Sequence, residues 1–127
     1  MKCLLMIYGD EAAMAAVSPS DAEKTTGAYM AYTEAMKKAG AYVGGERLRP
    51  TSAATTVRAV NGTTKVLNGP YAEAREQLGG YYMIDVPDLD AALSWASRCP
   101  GASHGSIEVR PIWPLNHITG AHLSTDV

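Results

Sequence analysis

The chain of 127 residues is 46% hydrophobic and 19% charged, with a formal net charge of -2. This length suits one domain, and the apolar content is sufficient for a core, which excludes intrinsic disorder. The slightly acidic balance argues against nonspecific nucleic-acid binding, which needs a positive field, so no direct contact with nucleic acid is expected.

Neither a leader nor a membrane span is expected from the first residues. "MKCLLMIYGDE" begins with an apolar run, but acidic residues follow at once. The run is far shorter than the roughly 20 residues that cross a bilayer. Cys3 and Cys99 do not make a disulfide framework and are expected to be reduced thiols. We therefore predict a cytoplasmic protein without a membrane segment.

The first elements are a strand and a long helix. Lys2–Tyr8 is a short apolar run ended by a Gly-Asp pair, which favours a buried strand. The Ala-rich stretch 9–17 is predicted to be a loop. A helix is predicted to begin at Pro19, because Ser18 can cap it, and to end at Gly40 in a left-handed cap.

The rest of the chain adds strands, a hairpin and a second helix. These are a strand at 41–50 with a bulge at Gly44-Gly45, a hairpin with a type I′ turn at Asn61-Gly62, the strand "GGYYMIDV", a helix capped by Asp88 and closed by Pro100-Gly101, and the strand "SIEVRPI". Signals after Trp113 are weak. We assign one domain at 1–113 and a C-terminal tail at 114–127.

Strand parity bears on what covers the sheet. Two helices cover only one face of a sheet this size, so we predict an α+β fold with the other face open. In the first strand Leu4 and Met6 point one way while Leu5 and Ile7 point the other, and "YYMIDV" is also largely apolar on both sides. Because the second face needs a cover, most simply another copy, we expect a homodimer.

The last predicted strand departs from this pattern. Ile107 and Val109 share one face, whereas Ser106, Glu108 and Arg110 share the other. Charges beside apolar strands indicate either the rim of a sheet or a ligand-lined cleft, and both readings stay open here.

Several segments carry a family resemblance. "NGPYAEAREQLGGYYMIDV" (68–86) resembles the DGPF signature of YCII-related proteins, which runs Asp-Gly-Pro-Phe-Ala-Glu-x-Lys-Glu-x-Leu-Gly-Gly-Tyr-Tyr. "GGERLRP", "TTVR" and "RCPGASHGSIEVRPI" match the same family in the same order, up to about Trp113. The resemblance implies a ferredoxin-like fold of the dimeric α+β barrel type. It implies no firmly assigned reaction, and in some members an association with extracytoplasmic-function sigma factors.

The sequence departs from the family pattern where chemistry is expected. The Asp of the motif is Asn68, its Phe is Tyr71 and its Lys is Arg75. The His that the wider group carries on the first helix falls near Tyr29. Neither Asn68 nor Tyr29 is a ready base at neutral pH. An acid–base dyad of that kind is therefore not intact, and whether the protein is an enzyme stays open.

The motif segment is interpreted as a turn followed by a charged loop. Asn68 can bond to its own backbone in an Asx-type turn, a structural role that Asp also fills. The charged side chains of this loop, Glu73, Arg75 and Glu76, belong either to a solvated loop or dimer rim, or to a polar pocket. We expect them to pair with neighbouring strands or a partner subunit, chiefly through Arg58 and Arg110. The structural motif comprises Asn68, Gly69, Pro70, Tyr71, Glu73 and Glu76.

Three histidines raise the question of a metal. His104, His117 and His122, taken with Cys99, include no two ligand pairs at a recognised structural spacing. No metal and no cofactor are expected, and His104 is interpreted as a surface or rim residue rather than a general base.

Two functions from different classes are predicted, and fold analogy adds a third. The first is a homodimer that binds a small polar or anionic molecule in a cleft between sheet and motif loop, as a binding module or as an enzyme of undetermined reaction. The second is an interaction protein that works with a sigma factor, and the third is cofactor-free oxygenase chemistry. The predicted ligand-binding residues are Tyr8, Glu46, Arg58, Arg75, Glu108 and Arg110.

Overall fold

A computed structural model describes residues 1–114. The strands are β1 (Lys2–Gly9), β2 (Tyr42–Arg47), β3 (Thr55–Val60), β4 (Thr63–Asn68), β5 (Gln77–Asp85) and β6 (Ser106–Pro111). The α-helices are α1 (Glu11–Ala15), α2 (Pro19–Lys38) and α3 (Leu89–Arg98), and 3₁₀ helices cover Thr51–Ala53 and Pro100–Ser103. The predicted tail lies outside the described residues except for Pro114.

Four strands form one antiparallel sheet in the order β2-β5-β1-β6. Helix α2 connects β1 to β2 and α3 connects β5 to β6, so two β-α-β units interleave in a ferredoxin-like arrangement. The β3–β4 hairpin is inserted between β2 and β5 and forms a separate two-stranded sheet. These features confirm the predicted α+β fold with its inserted hairpin.

The core lies between the helices and one face of the sheet. Leu5, Ile84 and Met36 are fully buried there, on β1, β5 and α2 respectively. Tyr32 on α2 stacks edge-on against Trp95 of α3, and its hydroxyl donates to the Trp95 carbonyl oxygen at 2.5 Å. Since a buried Tyr hydroxyl needs a partner, this bond fixes how the two long helices meet.

Helix α2 begins and ends where the sequence predicts. The Ser18 hydroxyl oxygen accepts from the Asp21 N–H at 3.1 Å, and Pro19 occupies the first position. Gly40 follows the helix with φ +72°, the left-handed conformation of a C-terminal cap. The Asp88 cap of α3 is confirmed in the same way, by a 2.9 Å bond from the Ala91 N–H.

The prediction of a loop over 9–17 is wrong, because five of these residues form α1. The Asp10 carboxylate accepts from the N–H groups of Ala12 and Ala13, at 3.0 and 3.2 Å, and so caps the helix. An Asp followed by good helix formers is a start signal that the short length of the run obscured.

The β3–β4 hairpin confirms the type I′ turn, since Asn61 and Gly62 have φ of +50° and +78°. Its register runs from Thr55 opposite Asn68 to Val60 opposite Thr63. All of β4 and most of β3 are exposed to solvent. The hairpin therefore extends from the body instead of adding to its core.

The second face of the four-stranded sheet, called the open face below, carries no helix. The apolar side chains that lie on it from the two central strands are half-buried: Leu4, Met6, Tyr8, Tyr81 and Met83. The sheet is thus apolar on both faces, as predicted from strand parity. The homodimer inferred from that parity remains a prediction.

Candidate functional site

Several loops meet at one end of the four-stranded sheet. Here β1 ends at Gly9, β5 begins at Gln77 directly opposite it, and β6 begins at Ser106 opposite Tyr8. The motif loop, residues 69–76, leads into β5 at this end. The Ser106 hydroxyl donates to the Glu76 carboxylate at 2.7 Å and so ties the motif loop to β6.

Two side chains from either side of the insertion hold this end together. The Glu11 carboxylate on α1 accepts from the Thr51 N–H at 2.8 Å and from the Thr51 hydroxyl at 2.7 Å. The Gln77 side chain accepts from the Glu11 N–H at 3.0 Å and donates to the Ala74 carbonyl oxygen at 2.5 Å. Helix α1, the 3₁₀ helix and the motif loop are therefore linked by four hydrogen bonds.

The turn that starts the motif loop is built by the backbone of a glycine. Gly69 has φ +110°, its N–H donates to the Ala54 carbonyl at 2.8 Å, and its carbonyl accepts from the Thr56 hydroxyl at 2.8 Å. Asn68 is the exposed last residue of β4, and its side chain makes no hydrogen bond within residues 1–114. The turn thus closes the base of the hairpin without the Asx-type bond that the sequence suggested.

An open groove of about 360 Å³ lies between the 3₁₀ helix and the motif loop. Its volume is at the lower end of the range for small-molecule sites, roughly 300–1,000 Å³. Glu73 and Gln77 supply side-chain oxygens and amide hydrogens, and Thr51 adds a hydroxyl that also bonds Glu11. The lining residues are Thr51, Pro70, Ala72, Glu73, Ala74 and Gln77.

Four of the six predicted ligand-binding residues lie on the open face. Glu46 stands opposite Tyr81, which stands opposite Met6, which stands opposite Glu108. The Glu46 and Glu108 carboxylates therefore lie on either side of the apolar side chains of the open face. Their two strands are three strand spacings apart, or about 14 Å. Tyr8 lies at the loop end of the same face.

Arg110 lies one pair further along β6, on the same side of the sheet as Glu108. Its guanidinium forms an ion pair with the Glu108 carboxylate, so these two charges partly neutralise each other at the sheet edge. Both side chains are substantially exposed, and such a pair contributes little to stability.

The expected ion-pair network around the motif loop does not form within residues 1–114. Arg58 lies on the hairpin, with its guanidinium carbon 5.9 Å from the centre of the Tyr71 ring. Arg75 and Glu73 are exposed and have no ion-pair partner among the described residues. Contacts of this loop with a partner subunit remain a prediction.

Tyr29, near which the family resemblance places a His, is half-buried. The Cys99 thiol lies 3.9 Å from the Tyr29 hydroxyl oxygen. Burial raises the pKa of Tyr29, and the neighbouring Cys99 raises it further. Burial likewise raises the pKa of the Cys99 thiol. Both groups thus stay protonated at neutral pH, and neither serves as a base or thiolate nucleophile.

Other residues considered for chemistry give weaker indications. His104 is exposed, and its Nδ1 lies 3.0 Å from the Ser103 hydroxyl. His117 and His122 lie outside the described residues. Within residues 1–114 no cluster of three His, Cys, Asp or Glu is arranged to hold a metal ion. In the same range no helix has the length and hydropathy needed to cross a membrane.

Sequence reasoning missed the residues that shape the groove. Gln77 lies inside the motif segment 68–86, but the motif sequence does not indicate that its side chain bonds both α1 and the motif loop. Glu11 was hidden in the stretch taken for a loop, and Thr51 follows a Pro without a distinctive pattern. Arg49 lines a second groove of about 270 Å³, together with Pro50, Ala53 and Ala54.

Fold and groove together define a ferredoxin-like α+β protein with a hairpin insertion and a loop-bordered site at one end of its sheet. The profile of the YCII-related domain family matches residues 1–116, and the chain belongs to that family. It is also similar to an uncharacterised protein of Rhizobium meliloti (strain 1021), with 40% identity over 110 residues. That alignment covers 85% of this chain and 89% of the relative.

Proposed function

We propose that this protein is a homodimer that binds a small polar or anionic molecule in the cleft between its sheet and its motif loop. The observation that carries the proposal is the adjacency of two features. The apolar open face ends at Tyr8, and the next residue of β1, Gly9, stands opposite Gln77, which lines the groove. A second copy that covers the open face would thereby border the groove.

The proposed homodimer rests on the need to cover apolar side chains. Apolar area removed from water stabilises by roughly 25 cal/mol per Å². The open face offers five half-buried apolar side chains in one contiguous strip, with charges only at its borders. Such a strip rimmed by polar residues is typical of an interaction surface.

The groups around the groove suit recognition by hydrogen bonds and charge. Gln77 and Glu73 line it, and Arg75 follows Ala74 in the adjoining loop. An arginine fork binds carboxylate or phosphate oxygens in pairs. No nucleophile–base pair is present among the residues that line the groove. Any reaction would therefore depend on positioning and on charge stabilisation by arginine.

The ligand proposal is tested by filling the groove. Thermal unfolding is measured with a panel of small carboxylates, phosphates and neutral polyols, for the native protein and for Ala72→Trp. Ala31→Trp, at an exposed position of α2 away from the groove, is the matched control. We expect at least one compound to raise the Tm of the native protein and the control, but not of Ala72→Trp, because ligand binding stabilises by mass action. Equal shifts in all three proteins would refute a ligand site in this groove.

A second candidate function is docking to an extracytoplasmic-function sigma factor. The observation that favours it is Tyr71, an aromatic residue of the motif loop that is 78% exposed. Exposed aromatic residues are common at the centre of protein interfaces. The test is co-purification with a sigma factor encoded beside this protein. Tyr71→Ala should weaken the complex at least tenfold, and a complex insensitive to this change would exclude the motif loop as the docking surface.

The proposed setting is the cytoplasm. Cys3 and Cys99 are both free and buried, and we interpret them as reduced thiols. Free thiols persist where glutathione and thioredoxin keep the compartment reducing. Fractionation of cells that express the native protein would test this, and recovery outside the cytoplasm would contradict it.

A further inference from the structure

The β3–β4 hairpin, called the arm below and comprising residues 55–68, lacks the packing that would stabilise it. An isolated two-stranded hairpin is marginally stable at best in water. Yet Val57 and Val66 are 61% and 63% exposed, and Leu67 is 53% exposed. An arm of this kind gains order when its surface is covered by another molecule or by another part of the chain.

The two faces of the arm differ in chemistry. On one face the side chains carry no charge, and Val57 and Val66 stand directly opposite each other at its centre. On the other face Arg58 stands directly opposite Lys65, an arrangement that destabilises a hairpin through like-charge repulsion. The uncharged face, which is the face suited to burial, comprises Thr55, Val57, Ala59, Thr64, Val66 and Asn68.

Charge is also unevenly distributed along the chain. Residues 47–72 contain four basic side chains (Arg47, Arg49, Arg58 and Lys65) and no acidic one. The remaining residues contain seven basic and thirteen acidic side chains. The arm and its base are thus cationic, and the rest of the molecule is anionic. Outside residues 47–72 a second copy carries thirteen acidic and seven basic side chains, and this opposite charge favours association with the arm and its rate.

We infer that the arm docks on a second copy of this chain, with its uncharged face against the partner. This inference rests on the proposed homodimer and identifies the segment that completes it. Six residues per strand give the arm a length of about 20 Å, and a four-stranded sheet is about 15 Å wide. The arm is therefore longer than its own sheet is wide, a length that allows contact with a second copy. Arg58 and Lys65 then lie on the outer side of the arm, where water solvates them and weakens their repulsion.

A photo-crosslinking experiment tests which face is covered. A benzoylphenylalanine replaces Val57 on the uncharged face or, as the matched control, Lys65 on the charged face. We expect covalent dimers from position 57 in at least fivefold excess over those from position 65. Equal yields, or products within a single chain only, would overturn the inference. A crosslink from position 57 to a different protein in a cell extract would assign the arm to that partner and overturn it too.

Removal of the arm supplies the second measurement. The Gly69 N–H bonds the Ala54 carbonyl at 2.8 Å, so an Asn-Gly linker between these residues can replace 55–68 with little disturbance. Sedimentation equilibrium should show the dimer Kd raised at least tenfold. An unchanged Kd in a folded arm-deleted dimer refutes the arm but leaves the homodimer standing. A native protein that sediments as a monomer refutes both.

Discussion

The Glu11 carboxylate holds Thr51 by two hydrogen bonds, 2.8 Å to its N–H and 2.7 Å to its hydroxyl. One residue lies just after β1 and the other at the start of the insertion, 40 positions later. The bond pair fixes the 3₁₀ helix that forms one wall of the groove. The contact joins two segments that are distant in sequence, and so it fixes the 3₁₀ helix at residues 51–53 relative to α1.

Replacing Glu11 should therefore loosen this end of the sheet. Hydrogen bonds to charged groups contribute about 1.5–3 kcal/mol each when buried, and less when half-buried. We expect Glu11→Ala to lower the free energy of unfolding by about 1–2 kcal/mol in urea denaturation. Glu23→Ala, on the exposed side of α2, is the control and should change it by less than about 0.5 kcal/mol. A Glu11 variant as stable as the control would show that the pair is solvated.

The motif turn gives a paired prediction on neighbouring residues. Gly69 has φ +110°, where a Cβ is strained, so Gly69→Ala should cost about 1–3 kcal/mol. Asn68→Asp should leave the free energy of unfolding within about 0.5 kcal/mol, because the Asn68 side chain is exposed and makes no bond in the described region. Denaturant unfolding of both variants checks this. A large loss of stability in Asn68→Asp, with none in Gly69→Ala, would show that the Asn68 side chain and not the Gly69 backbone builds the turn.

Replacement of Arg75 distinguishes a ligand-binding role of this side chain from a structural one. It is exposed and has no ion-pair partner within residues 1–114, so Arg75→Ala should change the free energy of unfolding by less than about 0.5 kcal/mol. The same change should remove any rise in Tm caused by carboxylates or phosphates. Lys24→Ala on α2 is the matched charge control and should keep that rise. A loss of several kcal/mol in the free protein would instead indicate a structural contact, for example with a partner subunit.

The buried tyrosine hydroxyl and cysteine thiol groups predict that the protein loses stability at alkaline pH. Burial is the main cause that raises the pKa of Tyr29, Tyr32 and Tyr82 above 10.0, and that of Cys3 and Cys99 above 9.0. Above those values the unfolded chain releases protons that the folded chain retains. The stability associated with these groups is thus complete below about pH 9 and declines as the pH rises. Urea denaturation between about pH 7 and 11 should show this decline.

The variant Tyr29→Phe tests the cause of this decline, because it removes one of the buried hydroxyl groups. Its free energy of unfolding should fall less steeply with pH than that of the native protein. A native protein whose stability does not vary up to about pH 11 would contradict the burial of these hydroxyl and thiol groups.

The fold was predictable where local chemistry and periodicity agree. Ser18 and Asp88 are caps with clear helical patterns behind them, and Asn61-Gly62 specifies its turn through backbone geometry alone. Helix α1 was missed because Asp10 caps only five residues, a length at which pattern carries little information. Such a short helix is held by bonds to distant residues instead of by its own periodicity.

The candidate site was only partly predictable for a related reason. Strand parity places Tyr8, Glu46 and Glu108 on the open face, since side chains alternate regularly along a strand. The Glu11–Thr51 and Glu11–Gln77 bonds join segments that are 40 and 66 residues apart, which no local pattern encodes. Arg58 was expected to pair with the acidic side chains of the motif loop, whereas the structure places its guanidinium beside the Tyr71 ring of that loop.

The most direct test of this account is the mass of the protein in solution. Multi-angle light scattering at micromolar concentration should give twice the 13.5 kDa of one chain. Met6→Lys, at the centre of the open face, should give a folded monomer, because burying an unpaired ammonium there costs several kcal/mol. Met30→Lys, at a 66% exposed position of α2, should remain a dimer. A native protein of 13.5 kDa, or a Met6→Lys variant that stays dimeric, would contradict the proposal that a second copy covers the open face.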